Sequence, residues 1–298
     1  MKVVIAGITG GIGKRLATYL HDRGNDIYSL TRNKENAQLS LPFCKEHFSW
    51  NENWERILPE VDAIVNLSGA SIGRRWNKKY KQQIYSSRIE TTQAIVDKLN
   101  KFKDKSIGFF STSAIGYFPN ANDEIIDETA GPGSRFISRV CVDWEKSAQN
   151  LQSPHKLVIG RFGIVLKKDD IALQRILLSY KFGFGVVIGS GLQWISWIHI
   201  TDLLELIFAS LSDASFKGIY NFVAPNPVRF SDLISAIGKI LNKPFMLSIP
   251  DYLVKLLFGE QSEVLLSSQR VVPKRLLEEK QYKFKYETIE IALREIIC

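Results

Sequence analysis

The stretch Val3-Val4-Ile5-Ala6-Gly7-Ile8-Thr9-Gly10-Gly11-Ile12-Gly13, followed at once by Lys14-Arg15-Leu16-Ala17-Thr18-Tyr19-Leu20, decides the fold. Its first four residues are apolar and small or β-branched, the composition of a parallel strand buried on both faces. From Lys14 to His21 the apolar residues Leu16, Tyr19 and Leu20 recur at helical spacing. A strand therefore passes into a helix through a glycine loop. Gly7, Gly10 and Gly13 let the backbone turn tightly. The bare amides along Thr9, Gly10, Gly11 and Ile12, with the helix N-terminus beyond, offer N–H donors and a partial positive charge. The loop reads as a pyrophosphate cradle.

An ordinary glycine turn would account for the triplet alone, so the context decides. Asp26-Ile27-Tyr28-Ser29-Leu30 reads as a second strand, and it ends in Thr31-Arg32. In a dinucleotide fold the residue about 20 positions past the last glycine reads the adenosine ribose. An acid there accepts from the 2′-hydroxyl of NAD. Arg32 instead presents a fork of donors suited to a 2′-phosphate, which favours NADP(H) over NAD. The competing reading of Arg32 is a solvated arginine at a strand end.

The G-x-x-G-x-x-G spacing, with Thr9 between the first two glycines, resembles the short-chain dehydrogenase/reductase superfamily, in particular its extended branch of nucleotide-sugar epimerases and dehydratases. That resemblance implies a Rossmann-type, doubly wound parallel sheet.

Composition narrows the remaining classes. A chain of 298 residues that is 45% hydrophobic can bury a large core in one domain or in two unequal ones. Cys44, Cys141 and Cys298 are few, odd in number and far apart, which suits neither a disulfide framework nor a metal site. A reducing cytoplasm is the simplest compartment, and no metal is expected. No apolar run reaches the roughly 18 residues of a membrane span, and the first residues form a strand rather than a signal peptide. The net charge of +8 is spread along the chain without a run of five like charges. It predicts solvated faces and an anionic small molecule rather than nucleic acid or membrane.

Along the chain, a small helix is expected around Trp54 to Leu58. Asp62 to Ala70 reads as a buried strand whose end, Leu67-Ser68-Gly69-Ala70, should lie along the adenine and ribose, since ligands bind outside the carboxyl ends of such strands. A long helix is expected from Asn77 to Lys101, with Arg88 on its apolar stripe. A buried guanidinium without a partner is very costly, so Arg88 either snorkels or meets acceptors or an anion inside. Ser106 to Phe110 leads as a strand into Ser111-Thr112-Ser113-Ala114-Ile115-Gly116-Tyr117. The extended-branch resemblance implies that Ser113 hydrogen-bonds the substrate oxygen, and Tyr117 is a candidate acid.

The next helix, from about Ser134 to Leu151, carries the main departure from that superfamily. Its catalytic Tyr and Lys, four residues apart, would fall at Ile137 and Cys141 when anchored on Trp144-Glu145. Both residues lie on the apolar stripe with Val140, Trp144 and Ala148. Without the lysine charge, forming a phenolate at pH 7 costs about 4 kcal/mol. A strand follows at Lys156–Leu166, then an aromatic run at Trp194–Ile200 in which His199 reads as a satisfied core histidine. A helix start is expected at Thr201-Asp202, a last parallel strand at Gly218–Pro225, and a helix at Ser231–Leu241.

The motifs Asn66-Leu67-Ser68-Gly69, Arg75-Trp76, Ser87-Arg88-Ile89-Glu90-Thr91-Thr92, Asp143-Trp144-Glu145, Gly189-Ser190-Gly191 and Trp197-Ile198-His199-Ile200 jointly resemble one atypical subfamily. Its members are described as NAD(P)-dependent sugar-nucleotide epimerases with a short extra C-terminal domain, sometimes labelled cell-division-inhibitor-like. The resemblance implies cofactor contacts at Thr31, Arg32, Leu67, Ser68, Gln83, Arg88 and Val165. The expected division is a cofactor-binding unit at residues 1–165 and 190–224, and a cap at 166–189 and 225–298, whose tail from Pro244 to Cys298 is helical with one short strand. Two functions stand at this stage. One is an NADP(H)-dependent epimerase or oxidoreductase acting on a nucleotide sugar or similar anion, and the other is a non-catalytic NADPH-binding sensor. The oligomeric state is open.

Overall fold

The computed structural model describes residues 1–298. Strands and helices alternate through the first half as β1 (Lys2–Ala6), α1 (Gly11–His21), β2 (Asp26–Thr31), α2 (Lys34–Ser40), β3 (Glu46–Ser49), β4 (Ala63–Asn66), α3 (Lys78–Lys101) and β5 (Gly108–Ala114). They continue as β6 (Ile125–Ile126), α4 (Phe136–Gln149), β7 (Lys156–Phe162), β8 (Ile164–Leu166), α5 (Ile171–Lys181), β9 (Gly185–Ile188), β10 (Trp194–Ile195), β11 (Trp197–His199), α6 (Ile200–Ser212) and β12 (Gly218–Phe222). The tail adds β13 (Val228–Arg229), α7 (Phe230–Ile240), β14 (Met246–Ile249), α8 (Asp251–Phe258), α9 (Ser262–Leu265), β15 (Arg270–Val271), α10 (Lys274–Glu278) and α11 (Ile289–Ile297).

Seven strands form one all-parallel sheet in the order β12-β7-β5-β4-β1-β2-β3. β1 and β4 are buried along their lengths because helices cover both faces. Val3, Ile5 and Phe110 pack on one face with Leu16 and Leu20 of α1 and Leu203 and Ile207 of α6. Val4, Ala6 and Ile64 pack on the other with Ile95, Val96 and Leu99 of α3. Side-chain caps start the helices where the sequence supplies them. Asn77 accepts from the Tyr80 amide at 2.8 Å, and Asp170 from that of Leu173 at 2.9 Å.

Outside the sheet lies the smaller C-terminal unit. It has its own core, in which Leu173, Tyr180, Val187 and Trp197 meet Ile234, Ile237 and Leu293. β9 pairs parallel with β14, drawing residues 185–188 and 246–249 together.

Three expectations change in detail. The single strand read at Lys156–Leu166 is two, because at Gly163 the chain passes so close to Ser196 that a Cβ would lie 2.7 Å from its carbonyl oxygen. β8 thereby leaves the main sheet and pairs with β11. From Pro244 to Cys298 the chain holds two short paired strands, β14 and β15, rather than one. The helix read from Thr201-Asp202 begins at Ile200, and His199 caps it, its Nδ1 accepting from the Thr201 amide at 3.2 Å. Asp202 is used elsewhere, accepting from the Lys285 and Tyr286 amides at 2.8 and 3.0 Å.

His199 is a satisfied core histidine. Nε2 faces Glu295 at 2.9 Å and the ring lies against Tyr286. Because Nδ1 accepts, Nε2 carries the proton of the neutral ring. Burial holds the His199 pKa below its ordinary value, against the opposing pull of Glu295 and Asp202. The unfolded chain thus binds a proton near pH 6.5 that the folded chain refuses, and stability is lost as pH falls below that point. His199→Asn retains a capping oxygen and removes the titration. Its melting temperature, measured from pH 7.5 down to 5, is expected to fall less steeply than the wild type's, with Asp202 present in both.

Candidate functional site

A cleft of about 630 Å³ opens at the carboxyl ends of β1, β2 and β4. The strand order reverses between β1 and β4, the place where open α/β sheets bind ligands. Gly7, Thr9 and Gly10 form its floor, Thr31 and Arg32 one wall, and Leu67, Ser68, Gly69 and Gln83 the other. Gly7 has φ of +78°, and a Cβ there would lie 2.8 Å from the Leu67 carbonyl carbon and the Ser68 nitrogen. At Gly13 a Cβ would lie 2.4 Å from the Gly7 oxygen. Bare backbone is thus a steric necessity at both positions; the Gly7 and Gly10 amides are bonded to the Leu30 and Gly7 carbonyls, which leaves the other amides of the turn for a close ligand. Gly11 heads α1 with the Lys167 ammonium beside it, and the Ile12 side chain packs into the core.

Arg32 is exposed on the wall and enters no ion pair, while Thr31 is buried. Arg88 is half-buried and reaches one acceptor: Nη1 donates to the Ile84 carbonyl at 3.0 Å, and Cζ lies 5.2 Å from the Trp144 ring. The guanidinium lies flat against Gly69, where a Cβ would come within 3.1 Å of Cζ. Burial lowers its pKa, yet no carboxylate pairs with it. Val165 lies on β8 with its side chain on the main core, away from the lining of the cleft.

Deeper in, one row of residues crosses three neighbouring strands in register: Ser113 of β5, Arg161 of β7 and Asn221 of β12. Ser113 is buried and donates its hydroxyl to Glu145 Oε1 at 2.6 Å. Arg161 Nε and Nη2 each reach the same carboxylate at 2.8 Å. Both ions are almost fully buried, with side-chain exposures of 3% and 5%. Tyr117 stands over this pair, its ring centroid 3.6 Å from the Arg161 Cζ. Arg161 Nη1 and Asn221 Oδ1 are buried without partners, one a donor and the other an acceptor.

Sequence reasoning singled out Ser113 and Tyr117 but missed Glu145, Arg161 and Lys167. A signal existed for two of them, since an arginine inside the apolar strand Val158–Phe162 and a glutamate on the apolar stripe of α4 both call for a buried partner. Ile137 and Cys141, where the resemblance would put the superfamily's Tyr and Lys, are packing residues. Ile137 and Cys141 both lie against Gly116, and Cys141 is buried. Burial pushes the Cys141 thiol up to about 12, so it is neutral and supplies no charge.

The model of the NAD dependent epimerase/dehydratase family matches residues 3–222, and that of a C-terminal domain of unknown function, DUF1731, matches residues 249–296. The chain belongs to the NAD dependent epimerase/dehydratase family. It is 35% identical over its whole length to 87% of the "Epimerase family protein SDR39U1 homolog, chloroplastic" of Arabidopsis thaliana. It is 32% identical, again over its whole length, to 98% of the epimerase family protein YfhF of Bacillus subtilis. The crystal structure of human epimerase family protein SDR39U1 with NADPH superposes with a TM-score of 0.88 at 28% identity, covering 99% of both chains. A Bacillus cereus UDP-glucuronic acid 4-epimerase, solved with UDP-glucuronic acid and NAD, shares the fold at a TM-score of 0.77 and 17% identity, over 99% of this chain and 97% of its own.

The buried pair makes a stability prediction. Glu145→Ala strands the Arg161 charge in the interior and is expected to cost about 3–5 kcal/mol in urea unfolding. Ser113→Ala removes one hydrogen bond to a charged group and is expected to cost about 1.5–3 kcal/mol.

Proposed function

We propose that this chain is an NADP(H)-dependent, epimerase- or oxidoreductase-like enzyme acting on a nucleotide-sugar-like or other small anionic substrate. Residues 1–165 and 190–224 form its cofactor-binding unit and 166–189 with 225–298 its cap. The observation that carries the reading is the adjacency of two things: an open cleft lined by bare backbone and an unpaired arginine, and a buried polar cluster at the ends of β5 and β7. The glycine turn suits a pyrophosphate, because backbone amides face the cleft where no side chain fits. Gly7, Thr9, Gly10, Gly11, Ile12 and Gly13 hold it there, with Leu67, Ser68, Gly69, Gln83 and Arg88 along the rest of the dinucleotide, and Val165, packed on the core, takes no part in the cleft. Thr31 and Arg32 receive the 2′-phosphate. The human relative solved with NADPH supports the same choice.

Bound there, the nicotinamide supplies the hydride acceptor or donor. The chain's own residues handle the oxygen and the proton. Ser113 already gives its proton to Glu145, so its Oγ meets a substrate hydroxyl as an acceptor and fixes that oxygen's position. Arg161 locks the Glu145 carboxylate from the far side with two bonds. Tyr117, held on the Arg161 guanidinium, is the acid that exchanges a proton with the substrate oxygen. The packed Ile137 and Cys141 favour a second reading, a non-catalytic NADPH-binding sensor. No helix is long and apolar enough to cross a membrane, and all three cysteines are free, which suits a reducing compartment such as the cytoplasm. The Arabidopsis relative is named as chloroplastic.

Calorimetric titration with NADPH and NADH tests the cofactor. Arg32→Ala is expected to cost roughly 1.5–3 kcal/mol for NADPH, about 10- to 150-fold in affinity, with NADH unaffected. Turnover of a panel of nucleotide sugars tests the chemistry. Tyr117→Phe and Ser113→Ala are expected to slow it by about 10²–10⁴. Ile137→Val and Cys141→Ala should leave it intact, the first costing only about 0.5–1.5 kcal/mol of stability. A protein that binds NADPH tightly yet turns over nothing in the panel, while NADPH alters its affinity for a partner, is the sensor instead.

A further inference from the structure

The cap carries an outward face that neither the cleft nor the sheet uses. On α5, Ile171, Arg175, Leu178 and Phe182 follow one another at helical spacing on the side opposite the buried Leu173 and Tyr180. Ile171, Leu178 and Phe182 are large apolar side chains left in water, Phe182 at 75% exposure. The turn after α5 comes up beside the start of β14, where the Gly185 amide donates to the Phe245 carbonyl at 2.8 Å and the Lys243 ammonium to the Tyr180 carbonyl at 2.6 Å. Phe245, Met246 and Leu247 are likewise exposed, Phe245 at 74%. Two phenylalanines thus project from neighbouring loops at one tip, with aliphatic residues behind them. An exposed apolar surface of this kind marks a docking face.

The charge around the tip identifies what docks. No aspartate or glutamate occurs from Ile171 to Ile200, or from Leu233 to Pro250. Those two segments contribute Arg175, Lys181, Lys239 and Lys243, none of which enters an ion pair, although Lys239 lines a cleft together with Asp232 and Glu290. A second copy of the chain would bring the same uncompensated cations face to face, which disfavours self-association here. Phe182, Phe245 and the exposed Ile171, Leu178, Met246 and Leu247 line none of the five principal clefts, so the molecule's main grooves are not here for a partner helix to enter. A yielding surface, apolar within and negative at its rim, suits both features.

We propose that the tip of the cap, Phe182 and Phe245 flanked by Lys181 and Lys243, docks the protein on the surface of an anionic lipid bilayer. The aromatic rings enter the boundary between headgroups and acyl chains, and the cations sit among the phosphates. The contact is peripheral, without any span, and it departs from the charge pattern of the sequence, which favoured an anionic small molecule over a membrane.

Co-sedimentation of the full-length protein with vesicles tests this. Vesicles of phosphatidylcholine mixed with phosphatidylglycerol are expected to carry the protein down, and vesicles of phosphatidylcholine alone are not. Raising the salt should release it. Lys181→Gln should weaken binding about fivefold, the share of one lysine at an anionic surface. The double variant Phe182→Ser, Phe245→Ser should abolish it with melting temperature and NADPH affinity unchanged, since both rings are already in water. Equal binding to neutral vesicles, wild-type binding by the double variant, or no binding to anionic vesicles would each overturn the proposal. So would size exclusion showing a concentration-dependent dimer that the double variant disperses, which would make the face a contact between copies.

Discussion

Three backbone segments meet at the end of β1 with no space for a side chain between them: the Gly7 turn, the first turn of α1, and the chain leaving β4. A Cβ on Gly7 would overlap the Leu67–Ser68 peptide, and one on Gly13 would overlap the Gly7 carbonyl. This contact sets where α1 begins, how closely β1 and β4 pair, and where the amides of the turn point. The strand order reverses at the same place, so the cleft is an outcome of backbone proximity before any side chain contributes to it.

The other organising feature is electrostatic. Glu145 and Arg161 are both taken out of water, which is favourable only with good geometry and satisfied partners. Two bonds from the guanidinium and one from Ser113 satisfy the carboxylate, and the Tyr117 and Phe118 rings cover the guanidinium face. A buried pair seldom adds net stability, but it specifies an arrangement. Here it sets the Ser113 hydroxyl direction, which the family resemblance brought forward, and the position of the Tyr117 ring, the candidate acid. Cys141, the neutral residue where a lysine would otherwise stand, lies beside them. The positive charge is therefore supplied from the sheet rather than from α4.

Much of this was legible from the chain. Val3–Ala6 and Ala63–Val65 are continuous apolar runs, the mark of strands covered on both sides, and Asn77 announced the start of α3. What escaped was long-range. The break at Gly163 depends on the approach of Ser196, more than 30 residues away, which no local pattern records. The start of α6 was misread because a histidine took the capping role and released Asp202 to hold the chain at Lys285 and Tyr286. Glu145 and Arg161 each looked out of place locally, and only the packing of α4 on β7 shows that they answer one another.

The cleft wall is drawn entirely from residues 7 to 91, whereas the polar cluster needs β5, α4 and β7, and its third strand, β12, ends at residue 222. On a ribosome the two halves of the site are therefore completed at different times. The glycine turn and its facing strands need only the first 91 residues, so they can pair before β7 and β12 have been made. The row through Ser113, Arg161 and Asn221 must wait until the chain has made its excursion through β8 to β11 and returned to the sheet edge. A chain stalled before β12 would thus hold a formed cleft beside an unfinished, water-exposed Arg161.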